Sequence, residues 1–136
     1  MNIKLIILCV VMFLVWSCDS DCDENPQITL QTDLENYSIG ENVQLTLSNG
    51  LANTLKLDIC CFIPDYQLQT LVNEGWTPAN DCSIFCFFPY IPMSSGETRL
   101  DTMIMNEPGY QRFLLRYQIP GVAQLDSIIS NPFWVD

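Results

Sequence analysis

The sequence predicts an all-β protein, an antiparallel β-sandwich of about seven or eight strands. Three observations predict it. From residue 27 onward, apolar and polar residues alternate in short runs, the two-residue period of a strand with one buried face. Turn-forming clusters such as Asn49-Gly50 and Glu107-Pro108-Gly109 punctuate those runs. No stretch of the body carries a sustained helical period.

The runs follow in order. Gln27–Asp33 places Ile28, Leu30 and Thr32 on one side. Tyr37-Ser38-Ile39-Gly40-Glu41 turns into 43–48, where Val43, Leu45 and Leu47 share a face. After Asn49-Gly50, Thr54–Cys61 alternates, with Leu55, Leu57, Ile59 and Cys61 on one side and Lys56, Asp58 and Cys60 on the other. Tyr66–Val72 is a further short strand, and Asn73-Glu74-Gly75-Trp76 a turn. Cys82–Phe88 is β-prone but apolar on both faces, bounded by Pro89 and by Pro92. Met93–Glu97 turns into Thr98–Ile104, which carries Leu100, Thr102 and Ile104 on one face. Gln111–Tyr117 directs Phe113, Leu115 and Tyr117 inward and Arg112 and Arg116 outward. Leu125–Ile129 and Asn131–Val135 form a last strand, kinked near Pro132. Sandwiches bury one face of each sheet, which this alternation supplies.

The N-terminal part has a different character. Lys4 is followed by twelve apolar residues, Leu5 to Trp16. That run is too short to span a bilayer, which takes about 20 residues, and suits the apolar part of a secretory signal peptide. It ends in Val15-Trp16-Ser17-Cys18. A small residue before a cysteine resembles the lipobox of bacterial lipoproteins, with Trp16 departing from the residue usual there. The resemblance implies removal of residues 1–17 and acylation of Cys18, hence a membrane partner and an outer-membrane address. Residues 18–26 then form a tether with four acids in six positions, Asp19, Asp21, Asp23 and Glu24. Such a run repels itself and stays solvated. It also resembles the acidic export signal that carries some lipoproteins to the cell surface. It is no calcium loop: Glu24 stands where an EF-hand needs glycine, and Leu30 where it needs the closing glutamate.

Residues 27–136 suffice for one domain. Residues 18–136 hold all sixteen acids against four bases, Lys56, Arg99, Arg112 and Arg116, a formal charge of −12. That balance excludes nucleic acid as a partner and adsorption to anionic lipid. The chain has no histidine, so Ser-His and Cys-His catalysis are ruled out and the commonest metal ligand is missing. Asp58 and Asp65 are the carboxylates to nominate for a paired acid–base site, but nothing in the sequence fixes their separation. The expectation is a non-enzymatic protein without cofactor or metal.

Several fragments, in order, resemble a known family: Tyr37-Ser38-Ile39-Gly40-Glu41-Asn42-Val43 leading to Leu47-Ser48-Asn49, the Cys60…Trp76…Cys82 spacing, Ser95-Gly96-Glu97, Pro108-Gly109-Tyr110, and Ser130-Asn131-Pro132-Phe133-Trp134-Val135. They are similar to bacterial immunoglobulin-like domains related to the intracellular proteinase-inhibitor fold. The doubled Cys60-Cys61 and the apolar Phe85–Pro92 segment depart from that pattern. The resemblance implies an immunoglobulin-like sandwich acting as an interaction module, with proteinase inhibition as an alternative. It also suggests Tyr110 as a tyrosine corner, a structural role.

With Cys18 acylated, Cys60 and Cys61 are the candidates to pair with Cys82 and Cys86 in two disulfides of unassigned order, leaving Cys22 odd. A four-thiolate zinc site is the poorer reading, because adjacent cysteines chelate badly and no Cys-x-x-Cys is present. Phe85, Phe87, Phe88, Tyr90 and Ile91 form either a partner-binding loop or a plug closing one end of the sandwich. Trp76 and Trp134 are candidates for stacking on a glycan, or for packing against a disulfide or the core. The sequence therefore points to a lipid-anchored cell-envelope binding module, with glycan binding or a structural role in a surface assembly as further alternatives.

Overall fold

The computed structural model describes residues 27–60, 62–77 and 90–136. The predicted leader, the acidic tether and the Cys82–Phe88 strand lie outside the described residues. Those residues form strands and turns, with no helix. The strands are β1 (Ile28–Thr32), β2 (Asn36–Tyr37), β3 (Asn42–Asn49), β4 (Leu55–Leu57), β5 (Ile59–Cys60), β6 (Ile63–Pro64), β7 (Gln67–Val72), β8 (Gly75–Trp76), β9 (Ile91–Met93), β10 (Thr98–Ile104), β11 (Gly109–Gln118), β12 (Leu125–Ile129) and β13 (Phe133–Val135).

One sheet is β1-β3-β10, antiparallel throughout. The other is built on β11. Along one edge of β11 run β13 and then β12; along the other run β7 and then β4. Outside these, β2 lies parallel to β13, β8 pairs with β7, and β9 with β4. The inner faces share a core. Leu30, Val43, Leu45 and Leu47 come from the smaller sheet, and Leu55, Leu57, Phe113, Leu115, Phe133 and Val135 from the larger. Phe113 stacks on Phe133 at 5.5 Å between ring centroids, and Tyr37 meets Phe133 edge-on at 5.3 Å. Each such side chain contributes about 1.5–3 kcal/mol on burial. The predicted inward set of β11 holds, with Gln111 added to it.

Three local features have identifiable causes. Thr54–Cys61 is not one strand. It follows β11 only to Leu57, and Asp58 N–H still donates to the Arg116 carbonyl. The chain then makes the lateral β5–β6 hairpin, closed by Asp65 N–H donating to the Asp58 carbonyl, and rejoins β11 as β7. The kink near Pro132 is a one-residue bulge: three steps on β11, Leu114 to Gln111, face four on its partner, Ile129 to Phe133. Ser130 repairs the ladder there. Its N–H donates to the Phe113 carbonyl, and its hydroxyl accepts from Phe113 N–H, each at 2.9 Å. On β10 the face of Leu100, Thr102 and Ile104 is outward, with Leu100 and Ile104 exposed. The other side carries Asp101, whose carboxylate accepts the buried Tyr66 hydroxyl at 2.7 Å.

Asn49-Gly50 turns the chain from one sheet to the other. A Cβ on Gly50 would fall 2.6 Å from the Gln27 carbonyl oxygen, so only glycine lets the first strand close in. The Asn49 side chain is buried and serves four backbone groups. Its amide donates to the carbonyls of Asn53, Met93 and Ser94, at 2.9, 3.2 and 2.9 Å, and its Oδ1 accepts from Leu51 N–H. It thereby ties the end of β3 to β9 of the opposite sheet. Asn49→Ala leaves these groups without partners and is expected to cost about 3 kcal/mol. Denaturant unfolding checks this, and a midpoint unchanged from wild type would refute the role.

Candidate functional site

The sites predicted from sequence separate into two regions. At one end of the larger sheet, three aromatic residues stand on β8, β11 and β13, with β7 between the first two. Tyr110 of β11 lies opposite Trp134 of β13, and Trp76 of β8 opposite Leu71 of β7. Opposed residues point to the same face, and this is the outward one, because Gln111 and Phe133 beside them are buried. The rings form a column. Tyr110 lies 5.9 Å from Trp76 and 4.9 Å from Trp134, with interplanar angles of 33° and 38°. Arg112 caps it, its guanidinium 4.2 Å from the centroid of Trp76 and its Nε donating to Gln69 Oε1 at 2.8 Å. Trp134 is 54% exposed and Leu71 37%.

This arrangement corrects two expectations. Trp134 does not pack into the core; it stands outward, while the neighbouring Phe133 and Val135 fill the core. Tyr110 is no tyrosine corner. Tyr37 does that kind of work: its hydroxyl accepts from Leu34 N–H at 2.8 Å and donates to Asp33 at 2.7 Å. Asp33 also accepts from Gln44 N–H, which binds the β1–β2 link to β3. The sequence offered one signal for the column, the outward phase of Tyr110 and Trp134 in their strands. The cross-strand register that brings Trp76 beside them has no local signature.

The second region surrounds the lateral hairpin. Asp58 and Asp65, the nominated carboxylates, do come together, but on the two sides of one guanidinium. Arg116 Nε lies 3.4 Å from Asp58 and Nη2 3.9 Å from Asp65, which also accepts from Gln67. Burial holds the Asp58 carboxyl above its ordinary pKa, with Arg116 opposing and Asp65 adding to the rise. A shared arginine makes this an ion-pair clamp at the base of the hairpin.

Cys60, in β5, is half of a disulfide; Cys18, Cys61, Cys82 and Cys86 lie outside the described residues, as do Phe85, Phe87 and Phe88. Of the predicted apolar loop, Ile91 falls in β9 opposite Leu57 and packs on the core. Tyr90 stays at the surface, its ring 4.6 Å from Lys56 Nζ. No group of potential ligands among the described residues is arranged to hold a metal ion. Comparison of the chain with protein-family models and with curated proteins gives no match.

Three tyrosines hold their protons more tightly than usual. Burial is the main cause, and acceptance of the hydroxyl by a neighbouring carboxylate adds to it. Tyr37 is pushed up to about 12, and Tyr66 and Tyr117 are raised by burial together with Asp101 and Asp126 respectively. A group with a raised folded-state pKa stabilises the fold fully below its unfolded value, near pH 10. That stabilisation is lost as pH rises through the folded value. Stability is therefore expected to fall steeply from pH 10 to about 12. In Tyr37→Phe the fall is shallower, at the cost of about 1–2 kcal/mol at neutral pH. Thermal melts across that range check it, and parallel curves for the two proteins would contradict it.

Proposed function

We propose that the protein is a non-catalytic binding module of the cell envelope, anchored by an acylated Cys18 and working through its outward-facing aromatic column, in which Trp134 is exposed and Trp76 and Tyr110 are half-buried. The column is the observation that carries this reading. Exposed aromatic surface costs free energy in water and marks contact sites. Its position adds support. The chain enters the sandwich beside Gly50, where Gln27 and Asn49 meet, and Asn49 reaches Met93 at that same end. Tyr110 and Trp134 sit at the other end, with β11 running between. Ten residues of strand separate the two ends, roughly 30 Å. A tether at residue 27 then leaves the column facing away from the membrane. The immunoglobulin-like character of the sandwich, with β2 parallel to β13 and β11 central, belongs to the same reading, as do two disulfides linking Cys60 and Cys61 to Cys82 and Cys86.

One observation favours proteinase inhibition as a second reading. Phe62, at the tip of the lateral hairpin, is 70% exposed and has φ of +80°, a strained conformation for a bulky residue. An apolar side chain held out on a disulfide-flanked hairpin is a shape that a protease subsite accepts. A protease panel assayed with wild type and Phe62→Gly decides it: inhibition lost in the variant supports this reading, and no inhibition removes it.

The primary reading is tested on protein from its native membranes. Its intact mass is expected to equal residues 18–136 plus acyl chains, gaining about four hydrogens on reduction. Crosslinking on intact cells is expected to capture a discrete ligand with wild type and to lose it with Trp134→Ala. An unacylated mass from the medium would refute the anchor, and capture unaffected by Trp134→Ala would refute the column as the contact.

A further inference from the structure

We infer that the aromatic column takes a neutral polysaccharide, an inference that rests on the column being the binding surface. The face of the column is mixed in chemistry. Beside the rings lie two planar hydrogen-bonding groups, Arg112 and Gln69, joined by a single bond that uses only the arginine Nε and the glutamine Oε1. The Nη groups of Arg112 and the Nε2 of Gln69 make no hydrogen bond, and no carboxylate pairs with Arg112, among the described residues. Unused donors next to an aromatic surface match a sugar ring, whose C–H face packs on an indole and whose hydroxyl oxygens accept N–H bonds at the same time.

The surroundings select among ligands with those properties. Glu35 precedes Asn36, which lies opposite Trp134; Asp136 follows Val135; Glu74 stands in the turn before Trp76; and Glu107 precedes Gly109. These acids border the column on every strand that contributes to it, in a chain of formal charge −11. An anionic polymer would meet repulsion along its length despite Arg112. A lipid surface is disfavoured by the same charge and by the position of the column at the end opposite Gln27. A neutral sugar chain avoids both costs, and carboxylates are good acceptors for its hydroxyls.

Tryptophan emission provides the readout. The chain has three tryptophans, of which Trp16 belongs to the leader and the other two to the column. Protein purified in detergent from its native membranes is titrated with a soluble β-glucan, an α-glucan and a mannan, with polygalacturonate as the anionic control. At least one neutral polymer is expected to change the emission saturably, with an affinity nearly independent of salt. Trp134→Ala and Arg112→Ala are each expected to weaken that binding about tenfold or more. Leu100→Ala, on the outer face of the other sheet, should leave it unchanged. Trp134 and Arg112 lie at the surface, and a melting curve like that of wild type shows that the variants fold.

No neutral polymer bound, polygalacturonate as the sole ligand, or binding undiminished in Trp134→Ala would each overturn the assignment. Different outcomes overturn the glycan and the column. A protein partner captured on cells through Trp134, with no polysaccharide bound, refutes the glycan and keeps the column as the contact. Binding of any kind that ignores Trp134 refutes the column itself.

Discussion

Strand β11 is the constraint on which the rest depends. It is the longest strand among the described residues, and four others pair directly along its two edges. Its strict alternation divides the molecule. Gln111, Phe113, Leu115 and Tyr117 enter the core, while Tyr110, Arg112, Leu114 and Arg116 face out. Core and candidate site are thus opposite faces of the same strand. Because a strand has a period of two, a slip of one residue would put Phe113 in water and Arg112 in the core. The Ser130 bulge shows how this register is kept. The partner strand absorbs one extra residue and returns both hydrogen bonds to Phe113, leaving Trp134 opposite Tyr110.

The polar interior serves the same end. Asn49 closes the end where the chain comes in, and Tyr37 with Asp33 ties down the link from β1 to β2. Tyr66 reaches from the link between β6 and β7 to Asp101 of the smaller sheet. Each of these buried polar groups finds a partner within the fold, which removes the desolvation cost of burying it and adds direction to the packing. Gln111 departs from this: its amide donates to the Glu107 carbonyl, but Oε1 is buried without a partner among the described residues. It sits directly beside Tyr110, inside the sheet where the column stands outside.

Much of this was legible in the sequence. The all-β class, the strands at 28–32, 98–104 and 125–129, and the inward sets of β3 and β11 follow from the two-residue period alone. What was not legible depends on pairing. The alternation of β10 groups Leu100, Thr102 and Ile104 on one face but does not say which way that face points; only the sheet's orientation shows that Asp101 and Met103 face in. Thr54–Cys61 reads as one strand because nothing local marks Asp58 as the point where the chain leaves β11. Trp76 and Trp134 are 58 positions apart, so their sharing of Tyr110 as a neighbour is a tertiary fact. The separation of Asp58 and Asp65 has no signature in the sequence either; the arginine between them is set by the outward phase of β11.

Trp76 and Trp134 stand on one outward column, at the end of the sandwich opposite Gln27. Fluorescence quenching in vesicles carrying the protein through the proposed acylated Cys18 tests this most directly. Acrylamide in the water is expected to quench the emission efficiently, and brominated acyl chains in the bilayer to leave it unchanged. Emission quenched by the brominated lipid, or shielded from acrylamide as a buried indole is, would contradict it.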